Sequence, residues 1–134
     1  KPSPSLPTPL RGRVLLVEDN PVNALVAEAS LRRLGLEVES VADGEGAVAR
    51  ATSVPFDLIL MDCQMPGIDG FEATARIRQF EQAARRKPVP IVALTANAMA
   101  GDRERSLGAG MNDHLAKPFQ DDELGGVLRR HLAA

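Results

Sequence analysis

The sequence predicts an α/β protein: a doubly wound, five-stranded parallel sheet with helices on both faces. Three observations predict it. Short apolar runs alternate with longer helix-length stretches from Arg13 onward. The runs at 14–17, 58–61 and 91–94 are continuously apolar, as central strands buried on both faces require. Several strands end in a charged or hydroxyl residue, which places polar groups along one edge of the sheet.

Residues 1–12, KPSPSLPTPLRG, hold Pro2, Pro4, Pro7 and Pro9 and read as a semi-extended linker. Residues 13–134 are expected to form one domain. The chain starts with Lys1 rather than Met, so it is expected to be a piece of something longer. RVLLV (13–17) is the first strand. NPVNALVAEASLRRLG (20–35) is the first helix, stopped by Gly35. EVESVAD (37–43) is a strand with mixed faces, suited to a sheet edge, and EGAVARATS (45–53) is helical. DLILMD (57–62) is a buried strand, followed by a helix over 70–86. VPIVALTA (89–96) is the fourth strand, with a helix at 102–110. DHLAKP (113–118) is the fifth, and a last helix at 121–132 is weakened by Gly125 and Gly126.

Composition removes several classes of function. Aromatics make up 3% of the chain, with no Trp and no Tyr, so base stacking is nearly excluded. The net charge of -2 gives no basic footprint for nucleic acid. No apolar run approaches the length of a membrane span, and no signal peptide pattern is present. Cys63 is the single cysteine, which fits a reducing, cytoplasmic setting.

The strand ends carry the chemistry. The first ends in Glu18-Asp19, the third in Asp62, the fourth in Thr95 and the fifth in Lys117-Pro118. Asp43, after the second strand, reads as a helix cap. Glu18, Asp19 and Asp62 in one pocket would repel one another. Protonation would relieve that, and so would a hard divalent cation such as Mg²⁺, which takes oxygen ligands. Thr95 and Lys117 supply donors for a phosphoryl group beside such an ion. A nucleotide normally needs a glycine-rich loop, whereas VEDNPVN is acidic and contains a proline. A side chain is the remaining carrier, and a carboxylate can form an aspartyl phosphate.

With the motifs LLVEDN, LILMDCQMPGIDGFE, IVALTANAM and HLAKPF in this order, the chain resembles the receiver domains of two-component response regulators. The resemblance covers roughly Arg13 to Leu132. It implies the flavodoxin-like strand order 2-1-3-4-5, known from a member of that family. It implies Asp62 as phosphoacceptor, with Mg²⁺ on Asp19, Asp62 and the backbone carbonyl of Gln64, and Glu18 acting through water. Lys117 would hold a phosphoryl oxygen and pair with Asp62 before phosphorylation. Thr95 would bond another oxygen afterwards, and Lys117-Pro118 would be a cis peptide. His114 occupies the switch position three residues before the lysine. The donor would be a phosphohistidine on a histidine kinase dimerisation domain or a histidine phosphotransfer domain. The motifs EDNPVN, MDCQMPGIDG and ALTANAMAGD are most similar to those of a C-terminal receiver of a hybrid sensor histidine kinase, with a stand-alone receiver or one in a larger regulator as the alternative. No nucleic-acid or membrane contact is expected, and a monomer is.

The first helix supports a helical partner independently. Ala27, Leu31 and Leu34 share one face at 100° per residue, and Val22, Leu25, Val26 and Ala29 form a second apolar stripe. A helix packed on one sheet face needs only one stripe. Neighbouring helices would cover part of the second; Val22, Leu25 and Val26 are the expected docking patch. Cys63 reads as small buried filler, and the Arg85-Arg86-Lys87 run as a solvated helix end. Three other readings compete with this one. A haloacid-dehalogenase-type phosphatase wants a second Asp where Gln64 stands. A flavin module is disfavoured by the acidic first loop. A degenerate receiver used only for docking would not need all five site residues.

Overall fold

The computed structural model describes residues 11–132, apart from 64, 66, 96–103, 105, 106 and 118. Five strands and four complete helices alternate. They are β1 (Arg13–Val17), α1 (Pro21–Arg33), β2 (Glu37–Val41), α2 (Gly44–Ser53), β3 (Leu58–Asp62), α3 (Gly70–Ala84), β4 (Ile91–Thr95), β5 (Asp113–Ala116) and α4 (Asp121–His131). Between β4 and β5, Glu104 and residues 107–109 are helical, within the expected stretch 102–110. All neighbouring strands are parallel, in the order β2-β1-β3-β4-β5.

β3 is central and every one of its residues is buried, which its unbroken apolar run requires. β2 is an edge strand with Glu37 and Ser40 exposed. Side chains alternate across the sheet and make two cores. Leu16, Leu60 and Leu94 face α1 and α4 with Leu31, Leu124 and Leu128. Leu15, Ile59 and Ala93 face α2 and α3 with Ala47, Ala73 and Ile77.

Element ends follow local chemistry. Asn20 caps α1: its side chain accepts from the N–H groups of Val22 (2.9 Å) and Asn23 (3.1 Å), and Pro21 needs no N–H at the first helical position. Asp43 caps α2 through Gly46 N–H, as read. The fourth strand starts at Ile91, not 89. Pro90 cannot donate, and Val89 N–H is taken by the Glu81 carboxylate at 2.8 Å. The second strand stops at Val41 because Asp43 turns away to cap α2. The third helix stops at Ala84 rather than 86. Arg85 takes a left-handed backbone, φ 56°, and closes the helix there. The fifth strand stops at Ala116, where Lys117 turns while its N–H still donates to Thr95 O at 2.7 Å. Pro118 and its peptide bond lie outside the described residues.

Candidate phosphoacceptor site

β1, β3 and β4 are adjacent, so their carboxyl ends deliver Glu18, Asp62 and Thr95 to one edge. Glu18 follows β1, and its backbone N–H still donates to Val41 O at 3.1 Å, which holds it in the sheet. Asp62 is the last residue of β3 and is 3% exposed. Its backbone meets the first residue of α3. A side chain on Gly70 would put a Cβ 2.2 Å from Asp62 O, so glycine alone lets α3 start so close to the acceptor loop. The Asp69-Gly70 pair was a readable signal for this contact: Asp69 caps α3 through Glu72 N–H at 2.9 Å.

One oxygen each from Glu18, Asp19 and Asp62 lies within 4.8 Å of the others. Glu18 and Asp62 are buried and Asp19 is exposed. Lys117 reaches into this group, donating to Glu18 Oε1 at 3.1 Å and to Asp62 Oδ2 at 3.3 Å. Burial alone would lower the Lys117 pKa. The hydrogen bond to Glu18 and the charges of Asp62 and Glu18 outweigh it, and the ammonium sits above its ordinary value. Asn20 N–H fixes Glu18 Oε2 at 3.2 Å. Glu18 therefore holds the lysine as well as contributing to the acidic group, a link between residues 99 apart in sequence.

Three carboxylates and one ammonium leave two negative charges in a mostly buried space. A divalent cation offsets that charge, and oxygen-only ligands suit Mg²⁺ rather than a softer metal. The residues fit that ion. Thr95 supplies a second sign. It is 2% exposed, and its Oγ1 has no hydrogen-bond partner among the described residues. A buried orphan hydroxyl is costly and calls for a reason.

Not every expected residue joins the group. Gln64 lies outside the described residues. His114 aligns with Ala93, two residues before Thr95 along β4. Among the described residues its polar contacts outside the strand pairing are to Asp113: its N–H donates to Oδ1 at 2.8 Å, and ring Nδ1 lies 3.8 Å from the same oxygen. Val22, Leu25 and Val26 are 67%, 67% and 59% exposed, so neighbouring helices do not cover them. Beside them opens a cleft of about 540 Å³, which no residue pattern signalled. Its walls are Asn23, Val26 and Ala27 of α1 on one side and Lys117 and Phe119 on the other, with Leu94 and Glu18 between. The second apolar stripe thus borders a path to the lysine.

Residues 14–129 match the response regulator receiver domain family. The chain is 45% identical over 116 residues to the sensor histidine kinase GacS of Pseudomonas protegens, which covers 87% of this chain but 13% of that protein. Among solved structures, the receiver domain of the sensor histidine kinase PA1611 of Pseudomonas aeruginosa, with a magnesium ion in its active-site cleft, superposes with TM-score 0.80. It is 56% identical, over 90% of this chain and 96% of that one. The Saccharomyces cerevisiae Ssk1 receiver domain, solved with the phosphotransfer protein Ypd1, superposes with TM-score 0.85 at 33% identity, over 92% and 90% of the two chains. The chain belongs to the response regulator receiver domains of two-component phosphorelay signalling.

Proposed function

We propose that Asp62 accepts a phosphoryl group from a phosphohistidine, with Glu18, Asp19 and Asp62 holding Mg²⁺. The observation that carries this is the buried Asp62 carboxylate, 3.3 Å from Lys117 Nζ and within 4.8 Å of two further carboxylates. An Asp62 oxygen attacks phosphorus, the N–P bond breaks, and its electron pair returns to the imidazole, which takes up a proton. When bound there, Mg²⁺ would supply charge neutralisation for the transferring group. Lys117, already directed at Asp62, binds a phosphoryl oxygen as a point charge. Thr95 Oγ1, with no other partner among the described residues, donates to another oxygen of the product. That bond would exist only after phosphorylation and so couples the chemistry to the connection after β4. His114 is the proposed second member of the switch. The family's slow self-catalysed phosphorylation and dephosphorylation is the extent of the activity proposed for this domain.

The test is incubation with acetyl phosphate and Mg²⁺, read by intact mass, for wild type and Asp62→Asn. A base-labile phosphoryl adduct is expected on wild type alone. An unlabelled wild type, under conditions that label another receiver, would sink the assignment.

The partner is proposed to be a histidine-bearing helix seated on Val22, Leu25 and Val26. Support comes from their exposure and from the Ypd1 complex of the Ssk1 receiver. Leu25→Asp is expected to slow phosphotransfer from a protein donor about tenfold or more, by burying an unpaired charge in the interface. Labelling by acetyl phosphate should be unchanged. The likeness to a sensor histidine kinase supports a hybrid kinase as the parent protein; residues 1–12 as linker, a monomeric state and a cytoplasmic location are proposed with it. No helix among the described residues is long and apolar enough to cross a membrane.

A further inference from the structure

Ser30 is a polar residue of α1 that is 3% exposed and has no part in the phosphoacceptor site. Its hydroxyl donates to Asp121 Oδ1 at 2.7 Å. Arg33, one turn on, grips the same carboxylate with two nitrogens: Nε to Oδ2 at 2.8 Å and Nη2 to Oδ1 at 3.1 Å. Arg33 Nη2 also reaches Ser30 Oγ at 3.1 Å, which closes the triangle. Asp121 is the first residue of α4, where a carboxylate also suits the helix N-terminus. The Arg33 hydrogen bond, then that of Ser30, hold its pKa below the ordinary carboxylate value.

The position of this triangle gives it a consequence. Ala27, which lines the cleft, is one turn before Ser30. Phe119, which forms the opposite wall, is two residues before Asp121. The two walls are therefore tied together just behind the cleft. Apolar packing of Leu31 against Leu124 and Leu128 also holds α1 to α4, but its attraction is non-directional. A bidentate guanidinium–carboxylate pair is directional, because both N–H···O directions are fixed. Gly125 of α4 also faces α1, where a Cβ would make an ordinary contact of 3.6 Å with Leu34 Cδ2.

We infer that Ser30, Arg33 and Asp121 are positioning residues for phosphotransfer from a protein donor. They set the width and register of the cleft between α1 and Phe119 through which a donor helix reaches Lys117 and Asp62. This rests on the proposed docking of the donor at Val22, Leu25 and Val26. It assigns no role to the clamp in the reaction of a small phosphodonor, which does not need the helix face.

The test uses the full chain with phosphorylated Ypd1 as protein probe and acetyl phosphate as small probe. The variants are Ser30→Ala, Asp121→Asn and their combination. Leu25→Asp reports on docking itself, and Arg32→Ala is the control, since Arg32 is exposed and its ion pair among the described residues is with half-buried Glu28 at 3.4 Å. The expected result is a rise of about tenfold in apparent KM for phosphorylated Ypd1 in the double variant, the scale of one lost charge-assisted hydrogen bond. Its kcat should stay within about twofold, as should the acetyl phosphate rate. A general loss of fold would lower both rates and kcat together. If Leu25→Asp slows transfer from Ypd1 and the clamp variants do not, the clamp inference is wrong and the docking reading stands. If wild type accepts nothing from phosphorylated Ypd1, or Leu25→Asp leaves transfer unchanged, the docking reading falls and the clamp inference with it.

Discussion

The two ends of the sheet bury charge in opposite ways. At the amino-terminal end, Arg78 of α3 is 16% exposed along its side chain and each of its three guanidinium nitrogens has an acceptor. Nε donates to Gly110 O at 2.9 Å, Nη1 to Glu81 at 2.8 Å and Nη2 to Asn112 at 2.8 Å. The other Glu81 oxygen accepts from Val89 N–H, and Asn112 Oδ1 accepts from Ile91 N–H. One connected network thus brackets the start of β4 and the turn into β5. At the carboxyl-terminal end, three carboxylates crowd one ammonium and the Thr95 hydroxyl has no partner among the described residues. A satisfied network specifies structure; an unsatisfied one marks a place where something else must arrive. Burial alone does not tell the two apart, since Glu81 is 6% exposed and Thr95 2%. Hydrogen-bond satisfaction does.

Four substitutions would break or sharpen that contrast, and the largest effect belongs to the reactive end. Asp62→Asn should abolish the phosphoryl adduct while leaving the fold intact by circular dichroism; residual labelling would place the acceptor elsewhere. Next comes the satisfied end. Arg78→Met should cost about 3–5 kcal/mol in urea unfolding, because it strands the buried Glu81 carboxylate. Acetyl phosphate labelling of the folded fraction should persist. A loss below about 1 kcal/mol would show that the network is ornamental.

A smaller effect is expected at Asp113, also at the amino-terminal end. Burial pushes its carboxyl up, but the hydrogen bonds from His131 (3.0 Å) and from His114 N–H, with the charge of Arg130, outweigh burial and hold its pKa low. A depressed carboxylate contributes stability that is present above its unfolded pKa of 3.8 and is lost as pH falls through the lower folded value. Unfolding free energy should therefore fall below about pH 4. Asp113→Asn should flatten that part of the profile; an unchanged slope there would exclude this carboxylate as a source. The smallest effect is at the reactive end. Thr95→Val should change stability by less than about 1 kcal/mol, and in the stabilising direction. It removes a hydroxyl that has no partner and keeps the shape. Its conformational response to phosphorylation, followed by amide exchange, should be lost. Marked destabilisation would mean that the hydroxyl is bonded in the resting protein.

Much of this was legible in the residues because the relevant signals are local. The apolar run Leu58 to Met61 announced a buried strand, and Asp62 at its end announced a polar group at the carboxyl edge of the sheet. Asp43 announced a helix start, since a cap acts within three residues. The second stripe of α1 announced a surface left bare, because helical period is fixed by backbone geometry. Errors fell at the ends of elements. Proline and glycine are visible in a sequence, but the left-handed turn at Arg85 and the capture of Val89 N–H by Glu81 depend on neighbours brought in by folding.

What the sequence determined by itself was the inventory and its order: strands ending in carboxylate, hydroxyl and ammonium, and a helix apolar on two sides. Tertiary structure decided which of those groups meet. Lys117 pairs with Glu18 as well as Asp62, Arg78 spans α3 to the turn before β5, and Arg33 grips Asp121 across 88 residues. No local rule reaches such distances, because only closure of the parallel sheet and its crossovers fixes which side chains share a space.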